Sequence, residues 1–287
     1  MKKFDVGIVG NGFVGSAIVS GFSLHSDIKI YDVKPELCTY SLQGVINNSE
    51  FIFICVPTPM RSVEGGELVL DILDTVFSDI SFMNDGADKI FIIKSTVTPG
   101  TVERYQEKYP DLKIVFNPEF LTERSARLDF INSSRIVLGG KSEDTERVEK
   151  LYRSRFPHKT IVKTDVTTAQ FIKYMANCFF SVKVSFMNEM LQGAERLGVN
   201  WDDAMKGFIL DGRIGNSHID VPGHDGDRGF GGKCFPKDLN AFINLFNNIG
   251  IQPSVMLSAW KKNLEVRESY DWAEIDGAVS DNKNQES

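Results

Sequence analysis

From Gly229 to Asp238 the chain reads Gly-Phe-Gly-Gly-Lys-Cys-Phe-Pro-Lys-Asp, so a thiol, an ammonium and a carboxylate fall within five residues after a glycine-rich approach. Glycines let the backbone turn tightly and come close to a ligand. Pro236 suits the first turn of a helix, which would set Cys234 beside a positive helix end and close to Lys237. Both influences favour thiolate, the nucleophilic form of cysteine. A small buried cysteine in an ordinary turn is the plain alternative, and the elements around the motif must decide between the two.

Upstream, the apolar strand Phe4-Asp5-Val6-Gly7-Ile8-Val9 runs into Gly10-Asn11-Gly12-Phe13-Val14-Gly15 and a helical run from Ser16. Strand, G-x-G-x-x-G and helix in that order form a dinucleotide site, because the glycines allow a tight turn and bring pyrophosphate onto backbone N–H groups. A second strand, Ile28 to Tyr31, ends at Asp32, where the motif expects an acid for the ribose, about 20 residues on. A carboxylate there would repel a 2′-phosphate, so NAD is expected over NADP, with Lys34 nearby softening the preference.

Two further apolar strands, Phe51 to Val56 and Lys89 to Ile93, end in Pro57-Thr58-Pro59 and Lys94-Ser95-Thr96-Val97-Thr98-Pro99-Gly100. Ligands of open parallel sheets lie outside the carboxyl ends of the strands, so hydroxyls of these loops are expected on the nicotinamide side. The strand Ile114 to Phe116 leads to Asn117-Pro118-Glu119-Phe120-Leu121-Thr122-Glu123, which places Glu119 and Glu123 at the same edge; either is a candidate general base. Asp165 caps a helix expected from about Thr167 to Leu197, and there Lys173 and Asn177 share one face. Residues 213 to 227 read as a mobile binding loop. Its His218, Asp220, His224, Asp225 and Asp227 lack the regular spacing of a metal site, and no metal is expected.

The fold class expected is α/β: a Rossmann domain with a doubly wound parallel sheet over residues 1–163, an all-helical domain over 164–270 carrying the cysteine, and a frayed polar tail over 271–287. With 287 residues, 42% hydrophobic, the chain can bury an ample core. A net charge of -7 argues against a nucleic-acid or anionic-membrane surface. Cysteines at 38, 55, 178 and 234 show no C-x-x-C, and no apolar stretch reaches membrane-spanning length. A reducing, cytoplasmic setting is the expectation.

The glycine loop, Cys55-Val56-Pro57-Thr58-Pro59, Lys94-Ser95-Thr96-Val97, Asn117 to Leu121, Lys173-Tyr174-Met175-Ala176-Asn177, Arg213-Ile214-Gly215 and Gly229 to Asp238 together resemble the UDP-glucose/GDP-mannose dehydrogenase family, in that family's order, to about residue 265. The resemblance implies oxidation of the C6 primary alcohol of a nucleotide sugar, UDP-glucose first, to the uronate with two NAD. Cys234 would attack the intermediate aldehyde, and the thiohemiacetal would become a thioester that water cleaves. Lys173 and Asp238 match groups that handle the alcohol proton and steady an oxyanion; Asn177 matches an oxyanion or substrate contact, Thr96 a holder of the catalytic water, and Glu119 the base for hydrolysis. Cofactor contacts would extend to Phe13, Val14, Lys34, Val56, Pro57, Thr58, Ser95, Thr96, Glu123 and Lys237. Sugar contacts would include Glu119, Phe120, Leu121, Glu123, Arg213, Phe230, Gly231 and Gly232, Arg213 across a homodimer built on the long helix.

Three departures stand out. Family members normally continue into a further nucleotide-gripping domain, Gln170 stands where they usually carry Glu, and the segment 216–228 is longer than typical. A single-step NAD-dependent dehydrogenase of a smaller alcohol and a weakly active NAD-binding partner protein are the alternatives. Cys234 argues against the first; the complete motifs argue against the second, while the expected lack of the further domain argues for it.

Overall fold

The runs Phe51-Ile52-Phe53-Ile54 and Ile90-Phe91-Ile92-Ile93 hold no polar residue, as strands covered by helices on both faces require. Residues 3–280 are described by a computed structural model. In chain order its elements are β1 Phe4–Val9, α1 Phe13–Phe22, β2 Ser26–Tyr31, α2 Leu42–Asn47, β3 Phe51–Ile54, β4 Met60–Ser62, β5 Gly65–Leu68, α3 Asp71–Met83, β6 Ile90–Ile93 and α4 Thr101–Lys108. There follow β7 Lys113–Phe116, α5 Ala126–Asn132, β8 Arg135–Gly139, α6 Ser142–Arg155, β9 Thr160–Thr164, α7 Val166–Leu197, α8 Trp201–Ile209, α9 Phe235–Asn248 and α10 Ser254–Val266.

The chain forms two units, the first comprising residues up to Thr58 together with Leu70–Lys173. Its seven-stranded sheet has the order β2-β1-β3-β6-β7-β8-β9. Every neighbouring pair is parallel except β7 and β8, which meet at Phe116 and Gly139 in antiparallel sense, so the expected parallel sheet is in fact mixed. Alternate strand residues feed two cores: Ile52, Ile54, Phe91 and Ile93 in one, Phe51, Phe53, Ile90 and Ile92 in the other. That alternation is the two-residue period of a strand buried on both faces. The strand order reverses between β1 and β3, and the glycine loop leaves the carboxyl end of β1 at this switch point.

The second unit takes Pro59–Val69 and the chain from Tyr174 on, so its first element is the hairpin β4–β5. The sequence reading missed this hairpin, as it missed α8. Gly65 has φ +130, and a Cβ there would lie 2.5 Å from Asn240 Oδ1 of α9, which explains a glycine at this close approach. Residues 271–280 are not the frayed tail expected. Trp272 is 1% exposed and donates its indole N–H to Val63 O at 2.9 Å, while Ser280 N donates to Met60 O at 2.9 Å. Burial of one indole, with a hydrogen bond for its N–H, outweighs the polar composition around it. The part of that expectation covering 281–287 lies outside the described residues.

No helix among the described residues is long and apolar enough to cross a membrane.

Candidate active site

In the first unit the glycine loop follows directly on β1. Gly10 has φ +91, and a Cβ on Gly15 would strike Gly10 O, so both positions exclude side chains. Around Gly12 the space is open: a Cβ there would meet nothing within 4 Å. Gly12 also starts α1 without a side-chain cap, leaving the first helical N–H groups pointing outward. An open glycine at an uncapped helix start is where a pyrophosphate fits. Asp32 accepts from Asn11 N at 2.6 Å and from Lys34 N at 2.9 Å, so the acid braces the loop and stands at the end of β2. The buried Asn11 Oδ1 has no partner among the described residues. These features fit a dinucleotide.

The loops after β3 and β6 are tied to each other. Thr58 Oγ1 donates to Thr96 O at 2.7 Å, and Ser95 Oγ donates to Val56 O at 2.7 Å. Both hydroxyls, expected to contact ligand, thus spend their protons on the scaffold. The Thr96 hydroxyl has no protein partner among the described residues and can hold a water.

Beyond β7 the structure separates the two glutamates that the sequence left equivalent. Glu123 is exposed, whereas Glu119 is 4% exposed. Glu119 Oε1 accepts from Lys173 Nζ at 2.7 Å and Oε2 from Leu121 N at 2.7 Å, and the Lys173 side chain is itself 2% exposed. A carboxylate and an ammonium this deeply buried persist because each compensates the other's desolvation. Phe120 lies beneath two cations, with Lys173 Nζ 5.7 Å and the Arg135 guanidinium 4.2 Å from its ring centre.

Sequence reasoning missed Lys94. This buried ammonium donates to Asn117 Oδ1 and Pro118 O, both at 3.2 Å, and so holds the turn that presents Glu119. Asn117 Oδ1 also accepts from Tyr152 at 2.5 Å, and its amide donates to Val137 O at 2.7 Å. A lysine closing the wholly apolar strand β6 was the available signal. A cavity of about 30 Å³, lined in part by Lys94, Asn117, Glu119, Arg135 and Tyr152, adjoins this turn. It is large enough for a water.

Burial pushes Lys94 down to about 8 from its ordinary 10.5, with Lys173 adding in the same direction and Glu119 opposing. Between those pH values the folded chain binds fewer protons at this site than the unfolded chain, so its contribution to stability rises with pH. The burial penalty is complete below pH 8 and gone above 10.5. Denaturant titrations across roughly pH 7 to 11 should therefore show the stability of Lys94→Met relative to wild type falling as pH rises through that window; a constant difference would refute the assignment.

Gln170 of α7 is fully buried and donates to Thr98 O at 2.8 Å. A glutamate could make that bond only when protonated, so glutamine suits this backbone oxygen.

In the second unit Cys234 stands at the N-cap of α9, with Pro236 in the first turn as expected. The uncapped first-turn N–H groups of a helix are a setting that favours an anion. Asp238, fully buried, accepts from Lys237 Nζ at 2.5 Å and from Asn177 Nδ2 at 2.6 Å. The ammonium expected to favour the Cys234 thiolate is therefore committed to a carboxylate. Arg213 pairs with Asp211 and its side chain is 90% exposed. Phe230 is buried and packs on Phe235 and Trp260. His218 stacks on Phe180 with ring centres 4.2 Å apart. No cluster of three His, Cys, Asp or Glu suited to a metal occurs among the described residues.

Comparison with known proteins agrees with this geometry. Residues 34–155 match the NAD binding domain, and residues 167–265 the central domain, of the UDP-glucose/GDP-mannose dehydrogenase family. The UDP-glucose 6-dehydrogenase of Rickettsia conorii is 30% identical over 296 residues, covering 90% of this chain and 66% of that protein. That of Rickettsia felis is 31% identical, with 90% and 64% covered. The chain thus spans just under two thirds of the length of these relatives. A UDP-glucose dehydrogenase structure from Pyrobaculum islandicum superposes with a TM-score of 0.82 at 25% identity, covering 92% of this chain and 68% of that one.

Proposed function

This chain belongs to the UDP-glucose/GDP-mannose dehydrogenase family and carries its NAD-binding domain, and we propose that it oxidises the C6 primary alcohol of a nucleotide-linked hexose, UDP-glucose foremost, to the carboxylate. The observation that carries this reading is the placement of Cys234 at a helix N-terminus, in a chain that also buries a Glu119–Lys173 pair. A one-step alcohol oxidation has no use for a nucleophilic thiol, whereas a four-electron oxidation can use one to carry the aldehyde through a thiohemiacetal and a thioester.

NAD, when bound, accepts a hydride in each of two oxidation steps. The Asp238 carboxylate takes the alcohol proton and the Lys173 ammonium steadies the oxyanion as the first hydride leaves. The Cys234 thiolate adds to the aldehyde carbon, giving a thiohemiacetal whose loss of the second hydride leaves a thioester. Glu119 draws a proton from water, the water oxygen bonds to the acyl carbon, and the thiolate departs. The Thr96 hydroxyl, without a partner among the described residues, and the cavity beside Glu119 both support a water in that role. Asn177 holds Asp238 in place.

The same reading makes the protein a cytoplasmic homodimer. Met175, Phe179, Phe186 and Met190 on α7 remain 40–62% exposed and recur at helical spacing, an apolar stripe suited to a second copy.

Incubating the protein with NAD and a panel of UDP-glucose, GDP-mannose and UDP-N-acetylmannosamine, and counting NADH per sugar consumed, tests the proposal. Two NADH per sugar are expected; one NADH per sugar would overturn the thioester route, and no NADH with any of the three would overturn the activity.

A further inference from the structure

The glycines before Cys234 invite a ligand-approach explanation, but the structure gives most of them another cause. A Cβ on Gly229 would collide with Asn263 Oδ1, and one on Gly231 with the Arg267 guanidinium and the Asp271 carboxylate. Side chains from α10 and the residues after it therefore press against the loop, within one unit. They also hold its backbone. Gly229 N donates to Asn188 Oδ1 at 3.1 Å. Asn263 reads both polar atoms of the next residue, accepting from Phe230 N at 2.6 Å and donating to Phe230 O at 3.0 Å. Gly232 N donates to the Asp271 carboxylate, at 3.0 Å to Oδ2.

Asp271 is held in turn. The Arg267 side chain, 1% exposed, reaches Asp271 Oδ1 at 3.1 Å and Asp225 Oδ2 at 2.8 Å, and donates to Ser269 O at 2.8 Å. Asp227 accepts from Ser269 N at 3.2 Å and from Arg228 N at 2.7 Å. The carboxyl half of the loop expected to be mobile is thus tied down by its aspartates, the same residues whose spacing argued against a metal. Trp272 anchors the far side by its bond to the β4–β5 hairpin.

We propose that Asp271, fixed by Arg267, is a positioning residue for Cys234: it holds the Gly231-Gly232 turn so that the thiol stays at the start of α9. The kinetic part of the proposal rests on Cys234 being the nucleophile; the geometric part does not. A carboxylate that grips the backbone N–H two residues before the nucleophile fixes the attacking sulfur as surely as a contact to the sulfur itself, since misplacement by about 1 Å costs on the order of 100-fold in rate.

The test compares Asp271→Ala and Asp271→Asn with wild type in the full chain. Asparagine keeps an oxygen for Gly232 N–H, so it should retain turnover within about threefold, while alanine should lower kcat by on the order of 100-fold with KM nearly unchanged. In parallel, iodoacetamide labelling of Cys234, resolved by peptide mass across a pH series, reports thiolate formation without any substrate. Its midpoint should move up in Asp271→Ala and not in Asp271→Asn. Amide exchange at Gly232 in the asparagine variant stands in should the alanine variant fail to fold, and protection like that of wild type is expected. Unchanged kcat and unchanged labelling midpoint in Asp271→Ala, or loss of Gly232 protection in a folded Asp271→Asn, would overturn the proposal. If no sugar nucleotide turns over at all, the labelling midpoint alone decides it, so failure of the functional reading is seen separately.

Discussion

Replacing Cys234 with alanine should abolish carboxylate formation, lowering turnover by between roughly 10⁴- and 10⁶-fold, the range seen when a covalent nucleophile is removed from an enzyme whose other groups remain. The reason is specific to a four-electron oxidation. The first hydride can leave with only a base present, but the trigonal aldehyde carbon must take on a nucleophile before a second hydride can leave it. The Cys234 sulfur is that nucleophile, first adding to the carbonyl carbon and later departing as thiolate. The variant should therefore still release up to one NADH per sugar on a slow first step, with the aldehyde or its hydrate as product. Folding should be preserved, because Cys234 is only partly buried and the change removes a single sulfur. Stoichiometric NADH counting together with chromatography of the sugar product measures this, and sustained two-to-one NADH in Cys234→Ala would remove the thioester from the mechanism.

The second large effect belongs to Glu119→Gln. Both oxygens of the carboxylate are occupied, one by Lys173 Nζ and one by Leu121 N, each at 2.7 Å. A glutamine offers one oxygen and one NH₂, so one of those donors must face another donor. The expected stability cost is about 3–5 kcal/mol, as for a buried ion pair that loses one of its charges. Catalysis should suffer as well. Without a carboxylate to accept a proton from water, hydrolysis slows by about 10²- to 10⁴-fold, while both hydride steps remain possible. The result is a burst of two NADH per active site followed by a stall. Intact-mass measurement during the stall should show the acyl group on Cys234, located by peptide mapping. A slow steady rate without a burst and without an adduct would show that Glu119 acts before the thioester, not after it.

Gly10, Gly12, Gly15 and Asp32 were legible from sequence because a dinucleotide loop is a local object. Its turn, its helix start and its acid lie within about 25 residues, and backbone sterics dictate glycine at Gly10 and Gly15. The long helix was legible too, since Asp165 caps it where the spacing required, accepting from Thr168 N at 2.8 Å. Cys234 at a helix N-terminus followed from Pro236 alone. Strands β3 and β6 announced themselves by unbroken apolar runs, as buried parallel strands do.

Other features depended on partners far away in the chain. Nothing near Glu119 or Glu123 tells which is buried; Lys173, 54 residues on, decides it. Lys94 gained its place in the site from Asn117 and Pro118 across the sheet edge. The glycines at 229 and 231 also face protein neighbours that the local sequence did not signal, because Asn263, Arg267 and Asp271 arrive from more than 30 residues downstream. Residues 271–280 looked too polar to pack, yet one indole and a hairpin that no periodicity signalled hold them. By itself, then, the sequence determined the chemistry available and the local shapes that carry it, since short-range sterics and hydrogen bonding act between residues close in the chain. Which of two equal carboxylates is buried and paired, which lysine stands behind it and what grips the cysteine loop were decided by tertiary structure, because burial and charge pairing are properties of residues brought together only by folding.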